Sequence, residues 1–260
     1  MFTFFHAIIL GLVEGITEFL PVSSTGHMIL TSHLLGIDSS DFLKSFEVFI
    51  QLGAILAVLV IYWKKLLGNT KIFLRVAIAF APTAIIGLFV YTLVKTYLLG
   101  STTVVVWALL IGGAALIIFE KIRIEKNTEQ DIVIQLESVT YKQAFIIGLF
   151  QSIAIIPGVS RSAATIVGGL LLGISRRAIV EFSFMLAVPT MAAAVGLDLL
   201  KTGFSFTNEE TGLLAVGFIV AFVSALISIK FLLRFVKNYT FTSFGVYRII
   251  IAIIFIIFLI

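Results

Sequence analysis

Six stretches of the chain, 46–63, 76–94, 104–119, 182–200, 213–233 and 244–260, are nearly free of charged residues. Each approaches the roughly 20 apolar residues with which a helix, rising about 1.5 Å per residue, crosses some 30 Å of hydrocarbon. Strict polar–apolar alternation is absent, so the runs read as helices and not as barrel strands. The chain is 60% hydrophobic and only 12% charged, against about 25% charged residues in soluble domains. It therefore reads as an all-α integral membrane protein, one membrane domain over 1–260 with no room for a separate soluble domain. The opening Met1-Phe-Thr-Phe-Phe-His6 lacks a basic region and no small-residue cleavage site follows it, so the N-terminus is expected to be retained. With no cysteine, disulfides and thiol chemistry are excluded.

Three shorter apolar segments, 4–19, 143–156 and 163–173, abut two Pro/Ser/Gly blocks, Leu20-Pro-Val-Ser-Ser-Thr-Gly-His27 and Ile156-Pro-Gly-Val-Ser-Arg-Ser-Ala-Ala-Thr165. Irregular backbone at membrane depth survives only when protein buries it or when it lines a wet cavity. Two re-entrant helical hairpins are expected, with both breaks leading to one cavity.

Charge sets the orientation. The net charge of +4 does not point to nucleic acid, because the basic residues fall between the apolar runs instead of forming one stripe. Twelve lie in 64–75, 120–142, 174–181 and 234–243, and three (Lys44, Lys95, Lys201) lie on the other side. The former loops are then cytoplasmic. Three spans separate the hairpins, so these enter from opposite faces, the first from outside. The sequence also resembles itself. Gly11-Leu-Val-Glu-Gly-Ile matches Gly148-Leu-Phe-Gln-Ser-Ile at a spacing of 137 residues, which also pairs Val22 with Val159, Ser23 with Ser160 and Gly36 with Gly173. The expected architecture is an inverted-topology repeat, about 1–125 and 138–260, with its site at the repeat interface near the midplane.

The polar blocks carry the candidate chemistry. An acidic or basic side chain at the centre of a spanning helix costs about 2.5–3.5 kcal/mol on insertion scales, so such groups default to function. Glu14 and Glu18 share a helix face, where two carboxylates can hold a hard cation such as Mg²⁺ or Ca²⁺; the bland reading is the solvated end of an interfacial helix. Pro21 breaks that helix, Ser23, Ser24 and Thr25 offer hydroxyls, and His27 adds an imidazole, which together make a nucleophile-and-base set. In the second block Arg161, flanked by Ser160, Ser162 and Thr165, sits at the start of a short helix, a cradle for phosphate. The competing role for Arg161, neutralising Glu18, is compatible with phosphate binding. Glu47 and Gln51 are candidates for lining the cavity, against local helix-to-helix hydrogen bonding. His6 and His33 read as interfacial or packed, Lys230 and Arg248 as snorkelling or paired, Asp198 as reaching the outer interface, and Gly112-Gly113 as close packing.

The combination of Glu14-Gly-Ile-Thr-Glu18-Phe-Leu-Pro-Val-Ser-Ser-Thr-Gly-His27 with Pro157-Gly-Val-Ser-Arg161-Ser-Ala-Ala-Thr165 resembles the undecaprenyl-diphosphatase (bacitracin-resistance) family, as do Phe46-Glu-Val-Phe-Ile-Gln-Leu-Gly53 and Glu181-Phe-Ser-Phe184. The resemblance covers essentially the whole chain. It implies hydrolysis of undecaprenyl diphosphate to undecaprenyl phosphate and phosphate in the bacterial plasma membrane, recycling the carrier for cell-wall synthesis, with bacitracin resistance and a divalent-cation requirement. Carried over by motif, Glu14 and Glu18 become the acidic pair and metal holders, Ser24 and His27 join the catalytic set, and Arg161, Ser160, Ser162 and Thr165 hold the diphosphate. Ser24, His27 or water remains open as the nucleophile. The expected site opens to the extracytoplasmic face and the expected partners are the polyprenyl diphosphate and the bilayer. The competing class is an inverted-repeat transporter or flippase of a phosphorylated lipid.

Overall fold

The computed structural model describes residues 2–38, 40–98, 101–126, 136–202 and 206–259. Ten α-helices account for the fold of these residues: α1 Phe4–Thr17, α2 Ser24–Leu34, α3 Asp41–Gly68, α4 Thr70–Leu93, α5 Thr102–Lys126, α6 Tyr141–Ser152, α7 Arg161–Leu171, α8 Arg176–Thr202, α9 Asn208–Phe235 and α10 Thr242–Leu259. Residues 127–135 of the expected loop at 120–142, and the side chains of Lys95, Lys126, Asp198 and Lys201, lie outside the described ones.

Of the six expected spans, α3, α4, α5, α8 and α9 are long and apolar enough to cross a membrane, and the sixth, α10, is a shorter apolar helix. α3, α5, α8 and α9 run past the apolar cores at both ends, and α4 and α10 at their N-terminal ends. α3, for example, continues through Lys64 and Lys65 to Gly68. Pro82 and Pro189 lie inside α4 and α8 without ending them. Beside Pro189, Thr190 Oγ1 donates back to the Leu186 carbonyl at 2.8 Å.

Both polar blocks break the chain between two short helices, α1 from α2 and α6 from α7. Thr3 and Thr140 open α1 and α6 with capping boxes, in which His6 and Gln143 bond back to the cap. At the 137-residue spacing α2 and α7 coincide end for end, and so do the positive-φ residues Ser23 and Ser160 and Gly36 and Gly173. Packing partners are exchanged between the halves. α1 lies along α9 and α6 along α4, while α3 meets α8 and α5 meets α10. Glycines permit the close crossings: a Cβ on Gly15 would strike Ala221 O and Ser224 Oγ of α9, and one on Gly148 would strike Ala79 O of α4. Ser228 Oγ donates to Ile16 O at 2.8 Å and Thr83 Oγ1 to Gly148 O at 3.1 Å across these crossings.

The two ends of the bundle differ in chemistry. At one end the starts of α1, α3 and α9 meet through Phe2, Phe42 and Phe206, with ring centroids 5.4 and 6.4 Å apart. At the other end Arg176 forks onto buried Glu120, which also accepts the Phe241 N–H at 3.1 Å, joining α5, α8 and the start of α10. Nearby, Lys65 and Arg177 converge on Glu181 at 2.7 and 3.1 Å. Glu181, at the basic end, is thus a structural anchor.

Candidate active site

Each break turns on a serine in the left-handed region, where a non-glycine residue is strained by about 1–3 kcal/mol. Ser23 has φ 73° and Ser160 φ 74°. Each caps the helix that follows, its Oγ accepting from Gly26 N and Ala163 N at 3.5 and 3.3 Å. The next residue, Ser24 in one half and Arg161 in the other, is thereby presented at a helix N-terminus. The two termini face one pocket of about 200 Å³, whose lining includes Glu18, Ser23, Ser24, Thr25, Ser160 and Arg161 with Gln51 of α3. Positive ends of two helix dipoles and a guanidinium therefore bear on the same small volume, an arrangement that favours anions.

Glu18 is the centre of the network. Its Oε2 accepts the Ser24 hydroxyl at 2.6 Å and its Oε1 accepts Arg161 Nη2 at 3.2 Å, so one carboxylate touches a hydroxyl of its own half and the cation of the other. The pairing role considered for Arg161 is real, yet the guanidinium is not exhausted by it. Nη1 donates to Ser183 O at 2.8 Å, and Nε is buried without a hydrogen-bond partner.

The remaining expected residues divide. Ser162 Oγ donates to Leu20 O at 2.8 Å and so ties the second break to the first. Thr165 Oγ1 bonds the carbonyls of Arg161 and Ser162, each at 3.0 Å, and Ser183 Oγ at 2.6 Å. Neither is in the pocket lining; Thr165 braces Arg161 from behind, and Ser162 locks the two breaks together. Glu14, one turn before Glu18, is 1% exposed, with Oε1 lacking a partner, and lies behind the lining. Glu47 accepts from Ser32 at 3.4 Å and leaves the wall to Gln51.

His27 is also outside the lining. Its Nδ1 donates to Ser23 O at 2.8 Å, because a carbonyl can only accept, and in the neutral ring its Nε2 accepts the Tyr247 hydroxyl at 2.7 Å. The two rings stack at 5.5 Å. His27 thus fastens the strained Ser23 turn to α10.

Arg248 requires a correction. It neither snorkels nor pairs with a carboxylate: it is 0% exposed, and it donates to Val159 O and Gly158 O, both at 3.0 Å, and to Ala108 O at 2.9 Å. A Cβ on Gly112 would strike its guanidinium, so the glycine pair provides close packing for an arginine. Tyr247 and Arg248, adjacent on α10, therefore hold one break each. Charge inside an apolar run was the signal that could have found Arg248. Ser183, between two phenylalanines, carried no such signal.

The fold and pocket define a class: a multi-pass helical membrane protein whose two broken hairpins enclose a charge-neutralising pocket beside a hydroxyl–carboxylate pair. The chain belongs to the family described as bacitracin resistance protein BacA, which matches residues 7–254. It is 50% identical over 253 residues, 97% of each chain, to an undecaprenyl-diphosphatase of Aquifex aeolicus (strain VF5). It is also 50% identical over 255 residues, 98% of each chain, to that of Wolinella succinogenes. With the undecaprenyl-diphosphatase of Bdellovibrio bacteriovorus it shares 50% over 257 residues, 99% of this chain and 96% of the relative.

Proposed function

We propose that this protein hydrolyses undecaprenyl diphosphate to undecaprenyl phosphate and inorganic phosphate, recycling the lipid carrier for cell-wall synthesis and so conferring bacitracin resistance. The observation that carries the chemistry is the Ser24–Glu18–Arg161 chain at the mouths of two facing helix N-termini. Arg161 and the first-turn N–H groups of α2 and α7 bind and orient the diphosphate, which is most of what phosphoryl transfer demands of a protein. Ser24 Oγ attacks the terminal phosphorus as its proton passes to Glu18, the bond to the bridging oxygen breaks, and Glu18 gives that proton to the departing undecaprenyl phosphate, which restores the carboxylate for the second step. Water then displaces phosphate from the seryl oxygen, with Glu18 taking its proton and returning one to Ser24.

On the donor chemistry a divalent cation fits between Glu14, behind the lining, and Glu18, at the back wall of the pocket. Glu14 brings a buried carboxylate oxygen without a partner, and Glu18 stands one turn on. Among the described residues no group of three or more His, Cys, Asp or Glu side chains could hold a metal alone. Mg²⁺ characteristically takes one or two carboxylates and completes its shell with water and substrate phosphate. Bound by Glu14 and Glu18, the cation would supply charge neutralisation on the phosphate oxygens.

The halves 1–125 and 138–260 act as inverted repeats about the pocket, with α10 as the sixth span and both broken hairpins re-entrant. The exchanged packing partners and the paired positive-φ serines support this reading. Clustering of Lys65, Arg176 and Arg177 at one end supports a cytoplasmic location for that end and access to the pocket from the extracytoplasmic side. The chain has no native cysteine, so a Thr25→Cys variant in oriented vesicles should react with an impermeant thiol reagent added outside. Labelling solely from the cytoplasmic side would reverse the assignment.

The test of the activity is phosphate release from undecaprenyl diphosphate by purified protein in detergent, with and without chelator. Release that stops on chelation and returns with Mg²⁺ is expected. A folded protein that binds the lipid and releases no phosphate would be a transporter or flippase instead.

A further inference from the structure

We infer that the apolar groove between α5 and the second break is the seat of the isoprenoid segment next to the diphosphate; this rests on the function proposed above. The groove encloses about 510 Å³ and is walled by Val104, Trp107 and Ile111 of α5 and by Ile153, Ile156 and Val159 of the break. Ile156 also lines the polar pocket, next to Pro157 and Gly158. The two spaces therefore share a wall, and a chain leaving a diphosphate held by Arg161 reaches apolar surface by passing over Ile156.

The first break provides an internal comparison. Phe19 stands where the second break has Ile156, and it is 0% exposed, set edge-on against Phe184 at 5.3 Å. Val22, the counterpart of Val159, is buried as well. On the other side Ile156 is 40% and Trp107 58% exposed. Of two like breaks, one is closed at this position by the Phe19 ring and the other is left as a groove at Ile156. An apolar chain attached to the diphosphate fits the open side, held there by van der Waals packing and by its covalent link to the bound head group, since lipid supplies no hydrophobic drive of its own.

Trp107 reports on occupancy. The chain has two tryptophans, and Trp63→Phe, at the basic end of α3, leaves Trp107 alone. In nanodiscs, an undecaprenyl phosphate brominated on its first isoprene units should quench Trp107 saturably, and unlabelled undecaprenyl phosphate should reverse the quenching. Quenching that matches that of a brominated phospholipid at equal mole fraction, with no reversal, would mean that bulk lipid fills the groove and would overturn the assignment. In turnover assays Ile111→Trp should raise KM for undecaprenyl diphosphate about tenfold with kcat nearly unchanged, whereas Ile118→Trp, exposed on the same helix outside the groove, should not. Equal effects of the two would overturn it too. Failure of the activity itself would appear separately, as absent phosphate release by the unsubstituted protein.

Discussion

Arg161→Ala is expected to lower kcat/KM for phosphate release from undecaprenyl diphosphate by about 10²–10⁴-fold. Two losses combine. The substrate forfeits the one guanidinium in the pocket lining, and Glu18 is left as a buried carboxylate without its cation. Breaking a buried pair by removing one partner costs about 3–5 kcal/mol of folding stability, and losing one preorganised donor to transition-state charge is itself worth about 10²–10³ in rate. Arg161→Lys keeps the charge but cannot reach Ser183 O and Glu18 Oε1 together as the fork does at 2.8 and 3.2 Å; about 10–10²-fold should remain lost. The measurement is steady-state phosphate release, with helix content and thermal transition checked by circular dichroism. Arg161→Ala within tenfold of the unsubstituted enzyme would remove the anion cradle from the mechanism.

Ser24→Ala should cost about 10³-fold or more in kcat with KM nearly unchanged, because the hydroxyl acts on the phosphorus and does not hold the diphosphate. Glu18→Gln, which abolishes the base yet still offers Ser24 an acceptor, should cost about 10²–10⁴-fold. Acid quenching with substrate labelled in the terminal phosphate should trap label on the unsubstituted chain at Ser24. Substantial turnover by Ser24→Ala, with no trapped label, would assign the attack to a water activated by Glu18. His27→Gln bears on the same choice: both ring nitrogens are engaged, by Ser23 O and Tyr247, so a loss confined to Ser23-turn stability would make it a positioning residue, and a loss of kcat with a changed pH profile would put it in the catalytic set.

Much of the architecture was legible in the chain. Apolar runs near the thickness of a bilayer can satisfy their backbone in lipid only as helices, so five of the six expected spans appear where composition put them, and the polar blocks are where helices stop. The residues that reach the pocket from the blocks were legible only in part. Of the expected hydroxyls, Ser23, Ser24, Thr25 and Ser160 line it, whereas Ser162 and Thr165 face into the protein. Residue type gives a hydroxyl's chemistry but not its direction. At a break, direction depends on backbone angles such as the positive φ of Ser23 and Ser160, and these persist only because surrounding contacts over-determine them.

Helical character, the positions of the breaks and the presence of carboxylates, hydroxyls and a guanidinium at membrane depth were determined by the sequence by itself, because lipid allows few backbone solutions and makes charge expensive. Tertiary structure alone decided that Arg161 meets Glu18 across 143 positions of chain, that Ser183 backs it, that Tyr247 and Arg248 each secure one break, and that Phe19 is packed against Phe184 while its counterpart Ile156 stays open. Those outcomes depend on which helices cross and at what distance. Crossing distance is set by the fit of small residues such as Gly15 and Gly148 against a neighbouring backbone, a property of two surfaces together and of neither segment alone.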